Sequence, residues 1–245
     1  MHPRAFNFNP EADEDKNDIC DHYELTLQMQ HYASTLPNDT LKLGNWLYDS
    51  NNEPFYLSTM KILAGELHLF RANTGEEVES IESAPFYNSN STPTYAEDNF
   101  FIGTPESYGG EIAGWAELGD FNRMRFHLGI PESIRKTSPA LVDEQGHPLS
   151  TTAVTYMFDS TSMSYLTAKI VVFQPNSSTE LIFEFFDYIP VELPYTVSVQ
   201  DGAHIPIRLR LDYVTLFNGI SFTNDSPTII KDKIRQNFPT AFSTY

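Results

Sequence analysis

Histidine is the residue type in this chain best suited to bind a transition metal, because neutral imidazole is the commonest protein ligand for such ions. His31 and His68 lie in strand-like segments, and His127 lies between Phe126 and Leu128. No two histidines are spaced as on one helix turn or one strand face; they are His2, His22, His31, His68, His127, His147 and His204. A metal site must therefore be assembled from separate strands, and the alternative for each histidine is a single residue satisfied by its neighbours. Binding requires the neutral ring, so affinity is expected to weaken as pH falls.

One acidic stretch, "DEDKNDICDHYE", has a spacing similar to that of a calcium-binding EF-hand loop. Oxygen-bearing side chains occupy loop positions 1, 3, 5, 9 and 12 at Asp13, Asp15, Asn17, Asp21 and Glu24. However, Asp18 occupies the position where the sharp turn requires glycine, and a strand-like pattern follows instead of a helix. These departures argue against calcium and favour a solvated acidic arm over residues 1–22.

No motif of a nucleotide-binding protein or a hydrolase occurs in the chain. The patterns G-x-x-x-x-G-K-[ST], G-x-S-x-G and H-E-x-x-H are absent. With 33 acidic residues, chance proximity of two carboxylates is common, and no nucleophile, base and orienting residue can be assigned. We therefore predict a protein without enzymatic activity.

The 245 residues carry a formal net charge of −18 at pH 7, so the surface is strongly acidic. Such a surface repels phosphate backbones, and nucleic acids and anionic membranes are not expected as partners. No run approaches the roughly 18 apolar residues of a membrane-spanning helix. The segment "MHPRAFNFNP" lacks an apolar signal sequence. This leaves two alternatives: a cytoplasmic protein, or an exported protein whose signal is not part of this sequence.

Alternating apolar and polar side chains predict β-strands through most of the chain. In "YELTLQMQHYA", Leu25, Leu27 and Met29 alternate with polar residues, as on a half-buried strand. "AKIVVFQPNSSTELIFEFFDYI" has two runs rich in Val, Ile and Phe around a polar turn, which is typical of a hairpin. Residues 79–110 and 133–153 are rich in turn-forming residues. They predict two long surface loops, the first with one short strand inside it.

Only the C-terminal segment has the features of a helix. In "NDSPTIIKDKIRQNF", Ser226 can cap the helix and Pro227 suits its first position. The chain has no internal repeat and no convincing linker. We therefore predict a mainly β protein with an acidic arm over residues 1–22 and a single antiparallel β-sandwich domain over residues 23–245. The domain is expected to have long loops and a short C-terminal helix.

The order of several short motifs between residues 23 and 245 resembles the MbnP-like domain family. Counterparts of the family's F-x-H strand, L-x-L-G loop and P-F-x-[LV]-[ST] strand lie at His31, residues 41–44 and Pro54-Phe55. "LGDFNRMRFHLGIPES" is similar to the family's G-x-Y-x-x-I-x-F-x-L-G-I-P segment. "DYVTLFNG" and "IRQNFPTAFSTY" are similar to its closing segment and terminal helix. Each motif is short, and the match depends on their shared order.

The resemblance implies an exported β-rich protein, periplasmic or on the cell surface, without an enzymatic site. Copper-binding members of the family surround the ion with histidines and an oxidisable tryptophan. They are often encoded beside a di-haem peroxidase-like partner. By this resemblance copper is the expected cofactor and His31 its first expected ligand. One or two of His68, His127 and His147 would complete the set.

Two departures from the family pattern concern this copper chemistry. Asp159 and Thr161 stand where the family commonly has tryptophans, and Ser164 replaces a glycine. Arg135 and Lys136 occupy a neighbourhood where the family often has a histidine, and a cationic pair disfavours a nearby cation. The expected function is therefore non-catalytic copper binding at a site that is degenerate relative to the family.

The alternative function is that of an interaction module, as an accessory subunit of a cell-envelope protein complex with no metal site. In that case the two long loops over residues 79–110 and 133–153 would form the contact surface. Sugar binding through exposed aromatic rings is a third alternative, and its support is compositional: 18 Phe and 13 Tyr.

Overall fold

Two β-sheets pack face to face in the computed structural model of the chain. The structure describes residues 23–80, 83–87, 93–107, 109–115, 117–142, 147–151, 157–174, 179–200 and 204–245. Its strands are β1 (Tyr23–Tyr32), β2 (Trp46–Tyr48), β3 (Pro54–Arg71), β4 (Glu77–Val78), β5 (Ser83–Tyr87), β6 (Pro93–Glu97), β7 (Phe101–Gly103), β8 (Gly109–Trp115), β9 (Gly119–Leu128), β10 (Phe158–Asp159), β11 (Ser164–Tyr165), β12 (Ala168–Phe173), β13 (Leu181–Phe185), β14 (Ile189–Val199), β15 (Ile205–Asp212) and β16 (Phe242–Thr244). Its α-helices are α1 (Tyr213–Leu216) and α2 (Pro227–Ala241), and short 3-10 turns occur at Pro37–Asp39 and Pro139–Leu141.

The larger sheet is built around β3 and the smaller sheet around β1. The strand order is β13-β12-β3-β9-β14 in the larger sheet, where β2, β4 and β7 also pair with β3, and β16-β15-β1-β8 in the smaller one. The predicted mainly β fold with antiparallel sheets and a short C-terminal helix is confirmed. One pairing differs from the prediction, because β1 and β15 run parallel, with Leu27 opposite Ile207. A parallel pair needs a long crossover, and here the connection contains every strand from β2 to β14, including the whole larger sheet.

Apolar side chains of both sheets meet in one large core. Leu25, Leu27 and Met29 of β1 are at most 2% exposed, as the alternation in the sequence predicts. They belong to the same cluster as Ile207 of β15 and Ile62 of β3. Because successive side chains of a strand point to opposite faces, the polar residues between them lie on the outer faces of the sheets.

The outer face of β3 is covered by a second, smaller apolar cluster. It joins Leu63 to Phe86, Phe100, Ile130, Ile134, Leu149, Met157, Tyr165 and Leu166. The prediction for residues 79–110 was wrong, because their described part contains β5, β6 and β7 in place of a surface loop with one strand. These short strands bury few side chains each, so the many polar turn residues around them made the segment look like a loop in the sequence. The described part of residues 133–153 also packs inward, through Ile134 and Leu149.

The C-terminal helix forms where the sequence predicts it. The Ser226 Oγ accepts a hydrogen bond from the Ile229 N–H at 3.4 Å, and Pro227 occupies the first turn. Ile230, Ile234 and Phe238 are buried on one side of α2. None of the helices in the described ranges has the length and apolar character needed to cross a bilayer.

The predicted acidic arm over residues 1–22, with most of the EF-hand-like stretch, lies outside the described residues. Strand β1 begins at Tyr23, the residue at which the sandwich domain is predicted to begin.

Candidate metal centre

The segment Glu97–Phe100, here called the clasp, crosses the outer face of β3. The Asn99 Oδ1 accepts a hydrogen bond from the Leu67 N–H at 3.3 Å, which fixes the clasp to the strand backbone. The Phe100 ring lies on Gly65, where a Cβ atom would come within 2.6 Å of its Cε1. Glycine is therefore required at this point of β3 for the ring to approach so closely. The clasp consequently holds Glu97 directly over His68.

His68 is the centre of a group of carboxylates on this face. Its neighbours Leu67 and Leu69 enter the main core, so its ring points the other way, and it is 7% exposed. The Nε2 atom lies 2.8 Å from the Glu97 Oε1, and the Nδ1 atom bonds to the Glu77 carboxylate. The Arg125 guanidinium, on the neighbouring strand β9, donates to the same Glu77 oxygen.

The charge of this group is set by its hydrogen bonds. Burial would lower the pKa of His68, but the bonds and charges of Glu97 and Glu77 outweigh it and raise the pKa to about 9. Burial likewise opposes ionisation of Glu77, yet bonding to His68 and the charge of Arg125 lower its pKa. Without a metal, His68 is thus a cation between two carboxylates near neutral pH.

Three side chains of this group can offer one ligand atom each to the same ion. The donor atoms of His68, Glu79 and Glu97 all lie within 4.8 Å of one another. Metal bonds of about 2.1 Å to two donors that are 2.8 Å apart, as in His68 and Glu97, subtend about 85°, close to square-planar or octahedral geometry. Within the described ranges, no other three histidine, cysteine, aspartate or glutamate side chains converge in this way.

An acidic cleft of about 380 Å³ opens beside these residues. Its walls are formed by Arg71, Glu76, Glu77, Val78, Glu79, Ser80 and Glu117. Because Glu79 belongs to both the cleft and the ligand group, an ion can reach the group from this side. The surplus of carboxylates favours the approach of cations.

The structure does not bring His31 together with the other three predicted histidines. It faces the interior from β1, in the smaller sheet, and is 4% exposed. Its Nδ1 lies 2.7 Å from the Tyr213 hydroxyl, and its Nε2 has no hydrogen-bond partner among the described residues. Burial lowers its pKa to about 4, so the ring is neutral at pH 7. A neutral ring with a free nitrogen is compatible with metal binding, and that role stays a prediction.

His147 lies near the clasp, but both of its ring nitrogens are used. The Nε2–H donates to the Asp98 Oδ1 at 2.5 Å, and the Nδ1 accepts from the Leu149 N–H at 3.0 Å. As at His68, a metal could bind His147 only by displacing one of these hydrogen bonds, and its role as a ligand stays a prediction. His127 lies on the same sheet face, where its ring stacks on Tyr188 at 4.3 Å between ring centres.

The residues at the family's tryptophan positions form a turn. The Asp159 carboxylate accepts hydrogen bonds from the Thr161 N–H at 2.9 Å and the Ser162 N–H at 3.1 Å. These bonds close the hairpin of β10 and β11, in which Asp159 pairs with Ser164. Asp159 and Thr161 therefore shape a local turn.

Comparison with known proteins gives one structural relative. The chain resembles MbnP from Methylosinus trichosporium. The TM-score is 0.48 at 11% sequence identity, and the match covers 79% of this chain and 77% of that chain. No family model matches the sequence, and no curated protein matches it. The similarity to MbnP coincides with the resemblance found in the sequence motifs. It concerns the fold alone, and at this distance it transfers no metal, ligand or partner.

The sequence predicted His68 but not the carboxylates around it. Glu77 and Glu79 alternate in "EEVE", which places them on one side of an extended chain, and this signal was available. No sequence pattern indicated Glu97, because its position near His68 depends on the contacts that hold the clasp on β3. The cluster therefore contains one predicted residue and three that the sequence analysis missed.

Proposed function

We propose that this protein is a non-catalytic, extracytoplasmic metal-binding protein whose ion is held by His68, Glu79 and Glu97. The observation that carries the proposal is the convergence of their three donor atoms within 4.8 Å, with His68 buried, Glu97 partly buried and Glu79 exposed. The hydrogen bond between His68 Nδ1 and Glu77 also supports it. Metal-binding histidines commonly donate their second ring N–H to a carboxylate, which fixes the orientation of the ring.

Copper(II) is the proposed ion. One imidazole and two carboxylates form a mixed nitrogen and oxygen site, which suits divalent transition metals. Among the divalent first-row ions such a site binds Cu²⁺ most tightly. Calcium is disfavoured because it takes six to eight oxygen ligands. The site is degenerate relative to the family, since the turn at Asp159 and Thr161 replaces its tryptophans.

Copper titration of the purified full-length chain against a competing chelator tests this proposal. The wild type is expected to bind copper tightly at His68, and His68→Gln to weaken that binding by at least about tenfold. His204→Gln is the matched control, because its side chain is 69% exposed and pairs with Glu24 at the surface. Binding should also release a proton, since His68 has a pKa of about 9 without metal and must bind as the neutral ring.

Unchanged binding and proton release in His68→Gln would exclude this site. Absence of copper binding together with co-purification of an envelope protein would favour the interaction module. One observation supports that second candidate: Trp46 and Tyr48 on β2 are 46% and 57% exposed. A di-haem peroxidase-like protein or an envelope protein complex is the proposed partner, and periplasmic recovery after cell fractionation would support the proposed location.

A further inference from the structure

We propose that the outer face of the smaller sheet binds an acidic segment of a partner protein, which lies on it in an extended conformation. The contact is made by Arg208 and Arg210 of β15, here called the arginine pair. The proposal goes beyond the metal-binding function and does not depend on it, because the arginine pair lies on the smaller sheet and His68 on the larger one.

The first observation is that the arginine pair has no carboxylate partner, although the chain has 33 acidic residues and only 15 lysines and arginines. Two guanidinium cations on one strand face repel each other, and a bound anion removes that repulsion. Within the described ranges every other arginine forms an ion pair with a carboxylate, and these are Arg71, Arg123, Arg125, Arg135 and Arg235.

The second observation is that Arg210 is held in place before any ligand binds. Its Nε donates a hydrogen bond to the Gln30 Oε1 at 3.0 Å. Its guanidinium carbon lies 4.5 Å from the centre of the Tyr32 ring and 5.1 Å from that of the Tyr245 ring. Tyr32 belongs to β1 and Tyr245 follows β16, and β15 lies between these strands, so the two rings approach from opposite sides.

Stacking of this kind covers the faces of a guanidinium and leaves its edge available. The Nη1 and Nη2 groups of Arg210 donate no hydrogen bond to a described residue, since its one such bond uses Nε. These two groups form the fork that binds a carboxylate through two parallel hydrogen bonds. Arg210 is therefore oriented for an anion that approaches from solvent.

Uncharged side chains surround the arginine pair on its sheet face. Gln28 and Gln30 of β1 are the cross-strand partners of Arg208 and Arg210, and Ser243 of β16 is the partner of Arg210 on the other side. These side chains can donate and accept hydrogen bonds without adding charge. The face of a sheet is open and nearly flat, whereas sites for small molecules are concave, so the surface suits an extended segment better than a small ligand.

The acidic residues of β1 and β15 are already engaged elsewhere. Asp212 caps helix α1, where its carboxylate accepts a hydrogen bond from the Val214 N–H at 3.0 Å. Glu24 pairs with His204 at 2.9 Å. Exposed charges more than about 8 Å apart are largely screened at physiological ionic strength. The net charge of −18 therefore does not prevent a local contact between the arginine pair and an anion.

The spacing of the arginine pair selects the form of its ligand. Side chains two residues apart on a strand lie on one face, roughly 7 Å from each other. Carboxylates two residues apart on an extended segment have the same spacing, so each can pair with one guanidinium. Nucleic acids and anionic membranes fit less well, because their charge extends over a large surface that would also face the rest of this acidic chain.

A capped threonine peptide with two glutamates at alternate positions tests the proposal, because threonine favours the extended conformation. Fluorescence anisotropy with the purified full-length chain at low ionic strength measures binding. The wild type is expected to bind this peptide, and Arg208→Gln/Arg210→Gln to weaken the binding by at least about tenfold. Arg123→Gln/Arg235→Gln is the matched control and should bind like the wild type. It removes the same charge from paired arginines whose side chains are 41% and 42% exposed.

Arg210→Lys separates the charge of Arg210 from its fork. Lysine keeps the positive charge but cannot bind a carboxylate through two parallel hydrogen bonds, so the variant should bind the peptide several-fold more weakly than the wild type. Unchanged affinity would reject the role of the fork. Equal affinity of the wild type for a peptide with two adjacent glutamates would reject the extended form of the ligand.

Four results would reject the arginine pair as a docking site for a partner protein. They are absence of peptide binding, equal weakening in the control variant, tighter binding of inorganic phosphate than of the peptide, and self-association that Arg208→Gln/Arg210→Gln abolishes. The third would identify a free oxyanion as the occupant, and the fourth a second copy of this chain. Copper binding at His68 is expected to be the same in Arg208→Gln/Arg210→Gln and the wild type, so the two proposals can fail separately.

Discussion

Replacing Gly65 by alanine is expected to destabilise the protein and to weaken metal binding at His68 in the same variant. The new Cβ would overlap the Phe100 ring, which is 4% exposed and cannot move aside freely. Overpacking of a filled apolar cluster costs roughly 1–3 kcal/mol. The clasp would be pushed away from β3, and Glu97 would lose its position over His68.

Denaturant unfolding and copper titration measure the two effects of Gly65→Ala. Gly110→Ala is a suitable control, because a Cβ on this strand residue would meet no atom within 4 Å. The double variant Gly65→Ala/Phe100→Leu should recover part of the lost stability, since the smaller side chain makes room. If Gly65→Ala unfolds at the wild-type denaturant concentration, the close contact between Gly65 and Phe100 does not exist in solution.

His31 is expected to make the fold sensitive to acid. Its pKa is about 4 in the folded protein and 6.5 in the unfolded chain, so folding favours the neutral ring. The contribution is fully present above pH 6.5 and is lost as the pH falls from 6.5 to about 4. The difference corresponds to about 3 kcal/mol in the free energy of unfolding.

The pH dependence of unfolding in a variant without His31 isolates this effect. His31→Phe/Tyr213→Phe removes the imidazole together with the hydroxyl that it contacts at 2.7 Å, so no new unpaired group is left there. Between pH 7 and pH 4, the wild type should lose about 3 kcal/mol more stability than this variant. Parallel profiles for the two proteins would show that His31 protonates without opposing the fold. His204→Gln should follow the wild type, because its ring is exposed.

The strands and the helix could be predicted because their signals are local. Leu25, Leu27 and Met29 alternate, and Ser226 with Pro227 begins the helix that the structure contains. The candidate metal centre could be predicted only in part, since the sequence identifies His68 as a candidate ligand but not its carboxylate partners. Glu97 reaches it because Asn99 and Phe100 hold the clasp on β3, and these contacts join residues about 30 positions apart.

The failed prediction for residues 79–110 has a physical cause. Among the short strands of residues 79–110, β5 and β6 pair with each other and β7 pairs with β3. A few buried rings add to their stability, and polar turn residues dominate their composition. The turn at Asp159 had a local signal that the sequence analysis did not use, because Asp followed by Ser, Thr and Ser is typical of a turn capped by its own side chain.

The parallel pairing of β1 with β15 has a consequence for the order in which the chain acquires structure. The hydrogen bond between His31 and Tyr213 joins residues 182 positions apart, so β1 cannot pair with β15 until the residues between them have been synthesised. Long-range pairing of this kind slows folding. A chain that ends before β15 would leave one edge of β1 unpaired, and an unpaired strand edge is prone to pair with other molecules.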